Sequence, residues 1–382
     1  MKALILNSGL GRRMGVLSSE HPKCMTEITP SETILSRQLL QLVDYGIEEV
    51  VITTGYFDKV LIDYCNFLQL PLRITYVNNP IYDKTNYIFS IYCARAFLQD
   101  DDILLMHGDL VFDNLVLEKC LENLDSCMVV SSTLPLPLKD FKAVIRDGII
   151  KKVGVEFFDN ALAAQPLYKL KKEDWLVWLR SIESFCESGE VRCYAENAFN
   201  VVSDMCALKP LDVKDMLCSE IDTQDDYAII SDKLRAVNDR KVYMCFASDF
   251  IHSGHISIIK KAKRLGTLTV GVLSDEAVAS YKRFPFIPFE ERKALMSNLT
   301  WVDAVIEQKS LSYADNLRAL KPDYVVHGDD WREGVQKPIR QEVLEVLEEY
   351  GGQLVEYPYS DNPKLKELDR RSNELKISSG DK

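Results

Sequence analysis

Three groups of residues in this sequence have the types and spacing to do chemistry on phosphates. His252-Ser253-Gly254-His255 follows the apolar run Val242 to Ala247 and precedes apolar residues that recur from Ile256 at helical spacing, so it falls where a strand becomes a helix. Unpaired backbone N–H groups and the helix dipole at such a junction suit an anion. Two imidazoles three positions apart, with Gly254 between them to let the main chain come close, add donors aimed at one phosphate. Taken alone, His-x-x-His reads more readily as a surface turn. The second group is Asn7-Ser8-Gly9-Leu10-Gly11-Arg12-Arg13-Met14-Gly15, after the apolar strand Ala3 to Leu6, with His21-Pro22-Lys23 beyond it. Its glycines let the main chain wrap a nucleotide, and Arg12, Arg13 and Lys23 can neutralise a triphosphate. The third is His107-Gly108-Asp109, delivered to a sheet edge by the buried strand Asp102 to Met106. A carboxylate there suits Mg²⁺, which takes one or two carboxylates plus phosphate oxygens and water.

The elements around these groups alternate. In the first half, helices at Ser36 to Tyr45 and Lys59 to Leu68 separate strands at Glu49 to Thr53 and Leu72 to Val77, the pattern of a doubly wound sheet. Cys127 to Ser132 reads as a strand, and Lys142 to Val153 as a hairpin turning at Asp147-Gly148. In the second half, strands near Val242, Leu268, Ala304, Tyr324 and Leu354 alternate with helices near Ser257, Phe289, Tyr313 and Val343, which fits a small five-stranded Rossmann-like sheet. The fold class is therefore α/β, with two doubly wound Rossmann-like domains in tandem: a mixed, mostly parallel sheet in the first and a five-stranded parallel sheet in the second. The charged helix end at Ser231 to Arg240 marks the boundary, giving domains at 1–238 and 239–360 and a charged tail or linker at 361–382.

A lone G-x-G also occurs in dinucleotide-binding folds, but Gly9, Gly11 and Gly15 miss the G-x-G-x-x-G spacing, and the loop runs on through Pro22-Lys23. The pattern G-x-G-x-R-M with a later P-K instead resembles the sugar-nucleotide and phosphocholine nucleotidyltransferases. That resemblance implies that Leu6, Asn7, Gly9, Gly11 and Arg12 lie against the nucleotide and that Arg13 and Lys23 contact its phosphates. Asn7-Ser8 stands where relatives usually carry Ala-Ala or Ala-Gly. The segment Asn79 to Tyr92 resembles the N-N-x-x-S-L-Y stretch of phosphocholine and 2-aminoethylphosphonate cytidylyltransferases, with Thr85 replacing the first asparagine; only Asn86 and Ser90 in it look suited to a ligand rather than to the core. Glu220-Ile221-Asp222-Thr223 matches the family's E-I-D segment, which implies Asp222 as the second Mg²⁺ ligand beside Asp109; a solvated acidic loop with Asp225 and Asp226 is the competing reading. The stretch Tyr194 to Leu211 is expected to cap the acceptor site. There Glu196 would face a substrate ammonium and Tyr194 offer a cation–π face, unless Glu196 is an ordinary surface glutamate.

The second half, from about Lys241 to Tyr359, resembles the glycerol-3-phosphate cytidylyltransferases, in which the H-x-G-H histidines donate to the phosphates of CTP. The resemblance implies that role for His252 and His255, phosphate contact for Lys282, and nucleotide contacts from Asp249, Gly254, His327, Asp329 and Asp330. Arg283 and Arg292 are weaker candidates, and Arg292 can instead pair with Glu290 or Glu291. Relatives carry R-T-x-G-I-S-T-T after the position of Tyr357-Pro358-Tyr359. Here Ser360-Asp361-Asn362-Pro363-Lys364 stands instead, which puts the activity of the second domain, but not its fold, in question. The run from Gly271 through Trp331 resembles cytidylyltransferase domains fused to phosphoenolpyruvate mutase, implying a mutase domain or partner.

Composition bounds the rest. A chain of 382 residues, 47% apolar and 27% charged, is an ordinary folded protein of two or three domains. A net charge of −12 without a basic cluster argues against nucleic acid as partner. No run reaches the length of a membrane span and MKALILNSG lacks the features of a signal peptide, so a cytosolic protein is expected. The ten cysteines, scattered from Cys24 to Cys245 with no C-x-x-C, suit reduced packing thiols. The reading is a Mg²⁺-dependent cytidylyltransferase moving CMP from CTP to a small phosphonate or phosphomonoester, with 2-aminoethylphosphonate favoured and phosphocholine, glycerol phosphate or ribitol phosphate as alternatives. The oligomeric state is left open. A second domain that binds CTP without turnover is the rival.

Overall fold

The computed structural model describes residues 1–9, 21–247, 249–281, 284–332 and 336–358, together with Lys364, Glu367, Arg370 and Arg371. Of the expected site residues, Gly11, Arg12, Arg13 and Lys282 lie outside these, as does most of the stretch from Ser360 to Lys364. The chain forms two compact units, Met1–Leu234 and Arg235–Lys382. Among the described residues no helix is long and apolar enough to cross a membrane, and all ten cysteines are free thiols.

The first unit is built on a 9-stranded mixed sheet whose main path runs Ile149–Gly154, Lys142–Arg146, Ala161–Leu170, Ile103–His107, Lys2–Leu6, Glu49–Thr54, Arg73–Asn78. Lys2–Leu6 lies at its centre, parallel to strands on both sides, with Leu6 in register with Thr53 on one and His107 on the other. That register brings the ends of three strands, and so Asn7, Thr54 and Gly108, to one sheet edge. Beyond Ile103–His107 the strands run antiparallel. The outermost hairpin turns at Asp147-Gly148, both at positive φ (52° and 73°), the conformation that Asp-Gly adopts at low cost.

Both faces of the sheet are covered. Ala3, Ile5, Leu104 and Met106 bury against Leu35, Leu39 and Leu42 of the helix Ile34–Asp44, while Leu4, Ile103 and Leu105 join the core on the other face with Ile88, Ile91, Trp175 and Trp178. The Ile34–Asp44 helix begins in a capping box: Ser36 N donates to Thr33 Oγ1 (3.0 Å) and Thr33 N to Ser36 Oγ (2.8 Å), worth about 1 kcal/mol. From the same helix, buried Gln38 donates through Nε2 to the carbonyls of His107 (2.9 Å) and Leu110 (2.8 Å), clamping the loop that carries Asp109.

The second unit is a 5-stranded parallel sheet in the order Ala304–Gln308, Thr267–Leu273, Lys241–Phe246, Tyr324–Gly328, Gln353–Tyr357. The strands near Val242, Leu268, Ala304, Tyr324 and Leu354 are all where apolar runs place them. The crossover helices are Ser253–Lys263, Phe289–Ser297, Ala314–Leu320 and Lys337–Glu348.

Candidate active site

In the first unit, tertiary pairing assembles residues that are remote in sequence. Leu110–Phe112 pairs antiparallel with Cys218–Glu220, Glu220 opposite Leu110, and Ile221 N donates to Asp109 O (3.0 Å). This two-stranded ladder sets Asp222 beside Asp109. The third member arrives from the helical turn Lys23–Met25, anchored by buried Cys24 and preceded by Pro22. Lys23 Nζ donates to Asp109 Oδ2 (2.6 Å) and to Asp222 Oδ1. Burial by itself would lower the Lys23 pKa, but Asp109 and Asp222 more than offset it and the ammonium holds its proton more tightly than usual. Burial would raise the Asp109 carboxyl, and Lys23 and His107 hold it below the ordinary range instead.

Beside this triad, His107 Nδ1 meets Glu220 Oε1 at 2.8 Å. Burial, then the Asp109 charge, pushes the Glu220 carboxyl up to about 7. His107 is raised as well: burial opposes its charge, and Glu220, Asp109 and Glu196 together outweigh burial. His107, Asp109 and Glu220 each offer one ligand atom within 4.8 Å of the others, a group that could hold a metal ion. Residue types support this for Mg²⁺ at the acids: the donors are carboxylate oxygens, Asp109 and Asp222 converge on one positive centre, and buried Asp109 Oδ1 has no hydrogen-bond partner among the described residues.

The nucleotide side is formed by the first strand's end. Asn7 N donates to Thr53 O (3.1 Å), and Gly108 N to Leu6 O (3.1 Å). Asn7 and Ser8 are buried, and Asn7 Nδ2 and Ser8 Oγ find no partner among the described residues. Gly108 is what admits Asn7: a Cβ at position 108 would stand 1.6 Å from Asn7 Oδ1. A larger residue after His107 would therefore displace the side chain that replaces the small residue of relatives. Gly9 is exposed at the edge of the described segment.

On the far side of His107 stands an aromatic cluster. The His107 ring meets Tyr87 edge-on at 4.7 Å, Tyr87 lies 5.9 Å from Tyr194, and Phe141 packs against both Tyr194 (5.1 Å) and His107 (6.4 Å). Tyr194 is 37% exposed, so its ring faces solvent. Glu196, 1% exposed, sits behind the cluster and accepts from the hydroxyls of Tyr87 and Tyr168 (2.8 Å for Tyr168). Burial and then Glu196 raise both phenols well above their usual range, so they remain donors. The helix bearing Glu196, Ala195–Val202, is tied down by Trp178 Nε1 to Ala195 O (2.9 Å) and Ser181 Oγ to Ala198 O (2.8 Å). Glu196 thus holds the tyrosines, in place of the direct ammonium contact expected of it. Asn86 caps the helix Tyr87–Ala94 through Tyr87 N (2.8 Å), and buried Ser90 meets Asn79 Nδ2 (3.0 Å), so both shape the wall from behind. The His107–Glu220 and Tyr87–Glu196–Tyr168 contacts carry no local sequence signal, since their members are far apart in the chain.

In the second unit, His252 caps the helix Ser253–Lys263: its Nδ1 accepts from Gly254 N (3.1 Å), which leaves the proton on Nε2. The His252 and His255 rings stack at 3.9 Å, and Phe246 braces His255 edge-on at 5.2 Å. Asp249 accepts from Ile287 N (3.0 Å). His327, at the end of Tyr324–Gly328, stacks on Trp331 at 3.7 Å, with Asp329 and Asp330 in the turn between them. Burial lowers the His327 pKa. A small cavity among Cys245, Tyr281, Gln308, Tyr313, His327 and Trp331 opens at these strand ends. Arg292 is not at the site surface: it is 1% exposed and donates to Asp275 (2.6 Å) and Ile287 O (2.9 Å), pairing with neither Glu290 nor Glu291.

Asn7-Ser8-Gly9 and the histidine motif thus both follow the carboxyl ends of parallel strands. Residues 3–135 match the MobA-like NTP transferase domain family, and residues 247–374 the cytidylyltransferase-like family. The chain joins two nucleotidyltransferase domains, one MobA-like and one cytidylyltransferase-like. The chain is 32% identical over 180 residues to the CMP-5'-(3-aminopropyl)phosphonate synthase of Streptomyces rubellomurinus, covering 45% of this chain and 28% of that protein. It is 27% identical over 169 residues to the CTP:phosphoglutamine cytidylyltransferase of Campylobacter jejuni, covering 40% of this chain and 65% of that protein. It therefore spans less than two thirds of either relative. The inositol-1-phosphate CTP transferase of T. maritima shares the fold at a TM-score of 0.50 and 19% identity, over 61% of this chain and 95% of that one.

Proposed function

We propose that the MobA-like domain transfers CMP from CTP to a small phosphonate or phosphomonoester that carries an ammonium group, with release of pyrophosphate. The observation that carries the reading is the single ammonium of Lys23 shared by Asp109, just past the central strand Ile103–His107, and Asp222, just past Cys218–Glu220. In the reaction an acceptor oxygen attacks the α-phosphorus of CTP, a new P–O bond forms, and the bond to the β-phosphate oxygen breaks with its electron pair on pyrophosphate. No covalent enzyme intermediate is required. Asp109 and Asp222 would hold Mg²⁺, which when bound supplies positive charge to the α-phosphate and the leaving group. Lys23, together with Arg13, neutralises the leaving pyrophosphate. Asn7 and Ser8 present polar atoms to the base side. Positioning of this kind contributes about 7–11 kcal/mol to a barrier.

The favoured acceptor is 2-aminoethylphosphonate, supported by the likeness to a protein named for an aminoalkylphosphonate. Phosphocholine is the second reading, favoured by the cluster of Tyr87, Phe141 and Tyr194 and by a Glu196 whose oxygens both accept from tyrosines, since a quaternary ammonium is bound by aromatic faces and needs no carboxylate. Mass spectrometry of products from CTP, UTP and ATP with a panel of phosphonates and phosphomonoesters tests the reading. The reading expects a CMP adduct of an ammonium-bearing acceptor, and adducts only of acceptors without an ammonium group, such as glycerol phosphate, would overturn it.

For the cytidylyltransferase-like domain the reading is CTP binding at His252 and His255, with Lys282, Asp249, Gly254, His327, Asp329 and Asp330 as further nucleotide contacts. Calorimetry on the full chain carrying Lys23→Ala separates binding from turnover there.

A further inference from the structure

We propose that Tyr82, with Tyr56 at its edge, is the platform on which the base of the first unit's nucleotide stacks, and that Asn7 and Ser8 meet the polar rim of that base.

Gly55 follows the strand Glu49–Thr54, which lies parallel to Lys2–Leu6. A Cβ at position 55 would stand 2.4 Å from Ser8 O and 3.2 Å from Tyr82 Cγ, so the Tyr82 ring lies against Gly55 beside Ser8. Tyr56, 67% exposed, is tilted toward it with ring centroids 6.3 Å apart. The turn that presents Tyr82 is held firmly. Asn79, 1% exposed, accepts from Ile81 N through Oδ1 (3.1 Å) and donates through Nδ2 to Thr85 Oγ1 and Ser90 Oγ (3.0 Å each). Lys84 N donates to Ile81 O (3.0 Å), and Asn78 Nδ2 donates to Gly55 O (3.2 Å). Tyr82 is therefore fixed at the strand end before any ligand arrives, which lowers the cost of binding against it.

A nucleobase has flat π-faces with donors and acceptors around its rim, and this sheet edge offers the complement of both. Any base can stack on a tyrosine ring. Asn7 and Ser8 are each 8% exposed, and Asn7 Nδ2 and Ser8 Oγ are buried without a partner among the described residues, a costly arrangement that a ligand's polar atoms relieve. Sheet order also separates this platform from the acceptor wall. Thr53 and His107 flank Leu6 on opposite sides, so Gly55 and Tyr82 lie to one side of the first strand, and His107 with Tyr87 to the other. Base and acceptor then occupy separate flanks of one edge.

The inference rests on reading the first unit as a nucleotide site. The test is calorimetry with Mg²⁺ on the full chain carrying His252→Ala/His255→Ala, so that the second unit contributes little binding. CTP and inorganic tripolyphosphate are titrated into this background and into Tyr82→Ala, Tyr82→Phe and Lys23→Ala built on it. Tyr82→Ala is predicted to weaken CTP about 5- to 150-fold, the range of one base–aromatic stack, and to leave tripolyphosphate unchanged. Tyr82→Phe keeps the ring and is predicted to bind CTP as its parent does. Equal weakening of CTP and tripolyphosphate in Tyr82→Ala would show a merely structural role and overturn the proposal. CTP binding that is unchanged in Tyr82→Ala but weakened in Lys23→Ala leaves the nucleotide site standing and overturns this inference alone. Binding unchanged in both overturns the two together. If Tyr82→Ala does not fold, NMR of protein in which only tyrosine rings carry protons decides: an NOE from cytosine H6 to a tyrosine ring, lost in Tyr82→Phe, is expected, and its absence or its survival in that variant overturns the proposal.

Discussion

Asp109 and Asp222 approach the same ammonium from the ends of two paired strands, and Lys23, 86 positions from Asp109 in sequence, is the cation between them. The side chains of all three are mostly buried, at 12–22% exposure. Removing the ammonium would leave two carboxylates facing each other with no counter-charge from the triad. Lys23→Ala is predicted to lower pyrophosphate release from CTP by ~10²–10³-fold, the cost of one transition-state donor. Steady-state pyrophosphate assays check this, and wild-type rates in the variant would remove Lys23 from the site.

The acceptor wall gives a prediction that separates packing from recognition. Tyr194→Ala removes an exposed ring and is predicted to raise KM for an ammonium-bearing acceptor by about 2- to 30-fold, the range of a cation–π contact, with little change in Tm. Glu196→Ala removes the acceptor of two tyrosine hydroxyls and is predicted to lower unfolding free energy by about 1–3 kcal/mol. Thermal unfolding and acceptor kinetics on the two variants check the division of roles.

The Glu220 carboxyl, raised by burial and by Asp109 to about 7 from 4.5, makes stability depend on pH. Because the folded state holds this proton more tightly than the unfolded chain, its contribution is fully present below about 4.5 and is lost as pH rises through about 7. His107, also raised, acts with the same sign at its own pKa. Urea unfolding in EDTA is predicted to show a smaller fall in stability over this window in Glu220→Gln than in wild type. Equal slopes would contradict it.

In the second unit, Arg292→Leu is predicted to cost about 3–5 kcal/mol, because it strands a partly buried Asp275 that has lost its partner. The readout is denaturant unfolding, and an unchanged midpoint would show that the pair contributes nothing.

Much of the positioning scaffold is legible in the sequence. Buried runs such as Ile103 to Met106 and Val242 to Phe246 read as central strands, and a parallel sheet carries the residues just past the ends of such strands to one edge. His107-Gly108-Asp109 and His252 to His255 are readable for that reason. Asp222 is reachable only by resemblance, because its neighbour Asp109 is brought in by a ladder that no local pattern encodes. Glu196 is buried and accepts from Tyr87 and Tyr168, which nothing near Tyr194 in sequence foretells. Ser90 reads as a residue suited to a ligand on an otherwise apolar helix, and it is buried against Asn79. The position of His107 is readable but its pairing with Glu220 is not, because that contact depends on the Leu110–Phe112 and Cys218–Glu220 ladder. The arginines and Gly11 of the first loop, with Lys282, lie outside the described residues, and their roles rest on the motif.

The most direct measurement is phosphorus NMR of the full chain with CTP, Mg²⁺ and 2-aminoethylphosphonate, run on wild type, Lys23→Ala and the double variant His252→Ala/His255→Ala. The account predicts equal amounts of a CMP-phosphonate and pyrophosphate from wild type and from the histidine variant, and a ~10²-fold slower reaction from Lys23→Ala. Product formation that survives Lys23→Ala and disappears with the histidines would contradict it.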